Sequence, residues 1–170
     1  MNSVEKRLDG GDLRSIGGAD GVLEDLYKDT SLFDKIFECL YSDKPVVKMR
    51  SADVIEKFTL RHSEYLQPYK DKLLHEIAGI DQKEVRWHLC QIIPRLKLSE
   101  NEINYAFILC KKYLHDKSSI VRTFAMQALF DLAQLNKDIL PKVKIIINSC
   151  LKKKGTPAMK SRAEKLTHQL

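Results

Sequence analysis

Apolar residues recur along this chain at every third or fourth position, in blocks that repeat themselves. The clearest block is Val121-Arg122-x-x-Ala125-x-x-Ala128-Leu129-x-x-Leu132, which sets one valine, two alanines and two leucines on a single helical face. The same frame reads Val85-Arg86-x-x-Leu89-x-x-Ile92-Ile93-x-x-Leu96, and earlier Val47-Lys48-x-x-Ser51-x-x-Val54-Ile55-x-x-Phe58. A worn fourth copy is Met159-Lys160-x-x-Ala163-x-x-Leu166. The basic residue falls at 48, 86, 122 and 160, giving spacings of 38, 36 and 38. A period of that size marks helical hairpins that bury their apolar faces on one another.

The residues between copies punctuate the helices. Leu32, Phe33, Ile36, Phe37 and Leu40 share a face. Asp43 is placed to cap the next helix, with Pro45 in its first turn and its end near His62. Tyr65 to Pro68 turn the chain into a helix carrying Leu73, Leu74, Ile77 and Ala78. Asp81-x-x-Glu84 and Ser99-x-x-Glu102 read as capping boxes, opening helices from Val85 and Ile103. Pro94 predicts a kink, because it removes the bond to the carbonyl of Cys90. Pro141 starts a helix that Gly155 stops, with Lys152 to Lys154 at its negative end, and Thr156-Pro157 opens the last. The result is about nine helices and no strand.

Residues 1–18 hold Gly10-Gly11 and Gly17-Gly18 with few apolar side chains, and a loose lead-in is expected there. Gly17 to Gly21 superficially matches a phosphate loop, yet no strand precedes it and no Lys-Ser/Thr follows. Asp20 or a neighbouring glycine capping a short helix through Val22, Leu23 and Leu26 is the better reading. The expected division is a lead-in and capping helix over 1–30 and a repeat domain over 31–170.

The recurring D-x(4–5)-V-R/K-x-x-A-x-x-A-L-x-x-L pattern, with Asp43/Lys48, Asp81/Arg86 and Asp116/Arg122 at its acidic and basic positions, resembles HEAT repeats. The resemblance implies an all-α HEAT-like α-solenoid, about four hairpins in a right-handed superhelix with the second helices lining the concave face. It also implies that those six residues bond along the stack between neighbouring repeats, as a structural ladder. It says little of function, since such repeats carry many unrelated tasks.

If the valine, alanine and leucine positions point inward, the opposite face begins about two residues after each valine. That row is Met49, Trp87 and Thr123, then Asp53, Gln91 and Gln127, then Glu56, Pro94 and Phe130, with Ser161, Lys165 and His168 from the fourth copy. It holds the chain's only tryptophan. Trp87-x-x-x-Gln91 is similar to the Trp-x-x-x-Asn pairs with which armadillo grooves hold extended peptides. Aromatics beside carboxamides make strong anchors, and Asp53 and Glu56 would suit a cationic group. A protein or peptide bound at Met49, Asp53, Trp87, Gln91, Thr123, Gln127 and Phe130 is therefore expected. The competing possibility is that Trp87 packs beneath the N-terminal segment or a neighbouring helix.

Composition narrows the remaining chemistry. The net charge of +6 is uneven: residues 137–170 hold nine Lys/Arg against Asp138 and Glu164, whereas 1–44 hold six against ten Asp/Glu. The basic C-terminal end allows a second reading, a nucleic-acid-binding relative of HEAT-like alkylation-repair glycosylases, although no active-site motif of theirs matches. His75-Glu76 is the single His-Glu pair, where HEAT-like iron hydroxylases use several, and no metal site, cofactor or nucleophile is indicated. Cys39, Cys90, Cys110 and Cys150 are scattered within apolar patterns and read as buried thiols. With no secretory run in MNSVEKRLDGGD and no membrane-length apolar stretch, a cytoplasmic protein with no small-molecule substrate is expected.

Overall fold

The structure is a computed structural model that describes residues 3–152 and 155–169, so Lys153 and Lys154 lie outside the described residues. Every regular element among the described residues is helical, and no strand occurs among them. The chain forms two compact units, Met1–Ile92 and Ile93–Leu170.

In the first unit, α1 (Ser3–Leu8) and α2 (Ala19–Lys28) precede α3 (Phe33–Glu38) and α4 (Pro45–Thr59), and all three earlier helices pack on α4. A 3-10 stretch, Ser63–Tyr69, follows, because Pro68 within it has no N–H to give an α-helical ladder. After it come α5 (Lys70–His75) and α6 (Lys83–Ile92), the latter packed on α4. The segment expected to be loose thus begins as a helix, with Val4 and Leu8 buried.

In the second unit, α7 (Glu100–Tyr113) lies on α8 (Ser119–Leu135), and α10 (Pro157–Thr167) on both α8 and α9 (Leu140–Lys152). The kink predicted at Pro94 is a change of helix type: α6 ends at Ile92 and residues Ile93–Arg95 are 3-10.

The inward row behaves as its periodicity requires. Val47, Ser51, Val54, Ile55 and Phe58, then Val85, Leu89, Ile92, Ile93 and Leu96, then Val121, Ala125, Ala128, Leu129 and Leu132 are all buried. In the fourth copy Ala163 and Leu166 are buried and Met159 is half-buried. The one polar member, Ser51, donates its hydroxyl to the carbonyl of Ile36, which removes the cost of burying it. Cys39, Cys90 and Cys110 are buried and Cys150 half-buried, all as free thiols.

Two caps form as the sequence predicts. The Ser99 N–H donates to Glu102 Oε2 at 2.7 Å while Ser99 Oγ accepts from the Glu102 N–H at 3.4 Å. Thr156 accepts from the Met159 N–H ahead of Pro157. Asp43 is exposed and does not occupy the N-cap: Lys44 does, and its side chain makes no capping bond to α4.

The arginines of the expected ladder bond to the turns before their own helices. Arg86 donates from Nε to the carbonyl of Ile80 at 3.0 Å and pairs with Asp81 at 3.0 Å. Arg122 donates from Nη1 to the carbonyl of Asp116 at 2.8 Å, while Asp116 Oδ1 accepts from the Ser118 N–H at 2.7 Å. Both arginines therefore reach back six residues to the turn that opens their own helix. In the first copy, Ser42 stands six residues before Lys48, and its hydroxyl donates to Glu5 at 2.9 Å.

Ser99→Ala is expected to cost about 1 kcal/mol, because it leaves a first-turn amide without its acceptor. Asp43→Ala should change stability by no more than about 0.5 kcal/mol. Urea midpoints at constant slope measure both.

Candidate functional site

The residue that organises the first unit's candidate site is one the opposite-face row does not contain. Arg50 follows Met49 on α4, and only 1% of it is exposed. A guanidinium this deep must have its donors matched, or the loss of water would be prohibitive. Main-chain carbonyls match it. Nη1 donates to Leu8 and Gly10, each at 2.7 Å, and to Asp9 at 3.3 Å. Nε donates to Ser15 at 3.1 Å, and Nη2 to Asp12 at 3.4 Å. Residues 8–15 are thus wrapped around one cation.

Local chemistry folds the wrap. The Gly10 N–H donates to Asp9 Oδ1 at 2.8 Å, the Arg14 N–H to Asp12 Oδ1 at 2.9 Å, and the Gly17 N–H to Ser15 Oγ at 3.1 Å. Gly17 has φ +51°, and a Cβ there would lie 2.4 Å from Arg50 Cζ, so no side chain is tolerated. Lys44 pairs with Asp9. Its hydrogen bond, followed by that of the Gly10 amide, holds the Asp9 carboxyl below the usual range. A phosphate loop aims amides at an anion; these glycines belong to a loop that aims carbonyls at a cation.

The wrapped segment lies on the predicted face. Leu13, Ser15 and Ile16 on one side, with Met49, Asp53 and Trp87 on the other, line a cleft of about 210 Å³. Met49 is buried, and Trp87 is half-buried. Leu13 and Ile16, at 44% and 52% exposed, leave an apolar rim beside the indole. Asp53 is taken by Lys57 at 2.7 Å. Burial opposes the Lys57 charge, and Asp53 with Asp20 outweighs it, holding the ammonium above its ordinary range. Glu56 is buried, so neither carboxylate stands open to a ligand as expected. Gln91 is half-buried, its amide 3.5 Å from the carbonyl of Trp87.

In the second unit, Thr123 and Phe130 are buried instead of facing solvent, and Thr123 donates to the carbonyl of Ser119 at 2.8 Å. The reason is packing: α8 has α7, α9 and α10 around it, which leaves no wide open side. Gln127 uses both ends of its amide, donating to Asp131 at 2.8 Å and accepting from Arg162 at 2.7 Å. Burial pushes the Asp131 carboxyl up, while Gln127, Arg162 and Arg95 offset part of that rise. Arg162 also lies over the Phe124 ring, 5.6 Å from its centroid. Ser161, Lys165 and His168 are exposed, and Pro94 is half-buried.

The family model of the HEAT repeat domain matches residues 12–170. The chain belongs to the HEAT repeat family. No curated protein and no solved structure matches it. HEAT repeats make a helical-repeat binding or scaffold module, and the all-helical units agree with an α-solenoid. Among the described residues of this HEAT-repeat protein, no group of three or more His, Cys, Asp or Glu is placed to hold a metal. No described helix is long and apolar enough to cross a membrane.

Sequence reasoning misses Arg50 because the repeat frame assigns no role to the third residue after the valine. One signal was present: a four-glycine segment with few apolar anchors needs some other means of attachment.

Arg50→Lys replaces a five-donor fork by a three-donor ammonium. The expected loss is about 3 kcal/mol in the first unit, with faster amide exchange at Gly10, Arg14 and Gly17 and no change in α8. Retained protection at those three amides would show that another contact holds the segment.

Proposed function

We propose that this HEAT-repeat protein is a non-enzymatic module that recognises a protein or an extended peptide, and that Trp87 anchors the ligand. One observation carries the reading: α4 already holds a length of polypeptide, its own residues 8–15, by main-chain bonds to Arg50, and Leu13 and Ile16 line one cleft with Trp87 of α6. A surface that grips carbonyls and offers an indole beside them suits extended chain. It has little in common with a phosphate-tracking groove, in which cationic groups stand open to the backbone.

The recognition surface is composite in this reading. Trp87 gives the rigid wall, and Leu13 and Ile16 give the rim, so an apolar side chain of the ligand enters between helix and wrapped loop. Gln91 lies one turn along from the indole and is the amide best placed to meet the ligand main chain. Met49 supports the site from beneath, and Asp53 fixes Lys57 at its edge. Thr123, Gln127 and Phe130 serve the interior of the second unit. Burial pushes the Cys150 thiol above its ordinary range, with Lys160 opposing part of that rise.

Displayed peptide libraries selected on the full chain test this. Selected peptides should lose roughly 30-fold in affinity on Trp87→Ala, about 2 kcal/mol, and recover part of it with Trp87→Phe. Melting temperature should fall by only a few degrees, roughly what about 1 kcal/mol produces. Peptides that bind Trp87→Ala as well as wild type would refute the assignment. So would retention on duplex DNA that falls steeply with salt and exceeds any peptide affinity.

A further inference from the structure

A second concavity in the first unit shares no residue with the Trp87 cleft. Phe33 and Asp34 of α3, with Glu64, Tyr65, Pro68 and Tyr69 of the 3-10 stretch, line an open cleft of about 540 Å³. Its floor is Phe33, which is buried. Tyr65 and Tyr69 flank that ring at centroid distances of 5.5 and 5.7 Å, tilted by 48° and 49°.

The walls are held in place before any ligand arrives. Tyr69 stacks on Phe37 at 3.9 Å, and its hydroxyl donates to Asp34. Tyr65 stands edge-on to Phe58 at 5.3 Å. Rings fixed in this way lose little freedom on binding. The rim is acidic. Asp34 spends one oxygen on Tyr69, and Glu64 has His62 Nδ1 at 3.5 Å. Among the described residues, neither carboxylate forms a salt bridge with lysine or arginine.

Two partly open tyrosine rings, backed by buried Phe33 and set beside two acceptor-bearing carboxylates, define the ligand by elimination. Ring faces and carboxylates both attract a cation. The carboxylate oxygens reward a cation that carries N–H donors, which a quaternary ammonium lacks. A flat, weakly hydrated ion lies against tilted rings better than a compact, strongly hydrated one. We propose that this cleft binds an arginine side chain of a partner polypeptide, its guanidinium against Tyr65 and Tyr69 and its N–H groups toward Asp34 and Glu64. The site lies apart from the Trp87 cleft, and its occupancy does not depend on that reading.

The experiment titrates the full-length chain with N-acetyl-arginine N-methylamide, its citrulline counterpart and its lysine counterpart, followed by amide and aromatic NMR shifts. Arginine should shift Phe33, Asp34, Tyr65 and Tyr69 together, and bind about tenfold more tightly than the neutral citrulline isostere. Glu64→Gln and Asp34→Asn, exposed and conservative changes, should each weaken arginine by about threefold to tenfold while the melting temperature holds. Trp87→Ala should leave the titration unchanged, which separates this site from the peptide cleft. Equal binding of citrulline or of lysine, shifts centred elsewhere, or wild-type affinity in both carboxamide variants would each overturn the assignment, as would no binding at millimolar ligand.

Discussion

A guanidinium removed from water must be given hydrogen-bond partners, and the first unit is arranged around that requirement at Arg50. Side-chain carboxylates could have supplied them, but five backbone carbonyls from residues 8–15 do so instead. That choice fixes the path of the N-terminal segment without many apolar anchors of its own. It also dictates glycine at position 17, where the loop closes over the cation. Removing the arginine would leave those carbonyls without their donors, which is why a single residue has so large an effect on how this end of the chain is held.

The fold was largely legible because it rests on one repeated decision: which positions of each second helix face inward. Those positions follow from helical periodicity alone, and the structure buries them. Caps with two reciprocal partners, such as Ser99 with Glu102, were legible for the same reason, since the signal is local and chemically specific. Asp43 was misread because a lone acidic residue before a proline satisfies the pattern without occupying the N-cap.

The site was legible only in part. Inferring a solvent face as the complement of a buried one assumes that nothing covers the far side of the helix. On α4 that assumption fails because a segment poor in apolar residues is attached through its backbone, which leaves no hydrophobic trace in the sequence. On α8 it fails because neighbouring helices enclose Thr123 and Phe130. Trp87 stays half open, and the acidic aromatic cleft of Tyr65 and Tyr69 escaped notice altogether. Its rings come from α3 and from a 3-10 stretch about thirty residues later, a juxtaposition that no periodicity encodes.

Arg86 and Arg122 each fasten the bend that precedes their own helix, in the same register. A fastening of this kind travels with the hairpin that contains it. Tandem duplication or loss of one hairpin would therefore carry the staple along intact and sever none in the units that remain. Such autonomy keeps the arginine-to-turn contacts short in sequence, so each bend can set early and independently during folding. It also offers a route by which the length of an array can drift over evolutionary time while each repeat that carries the arginine keeps its own closure.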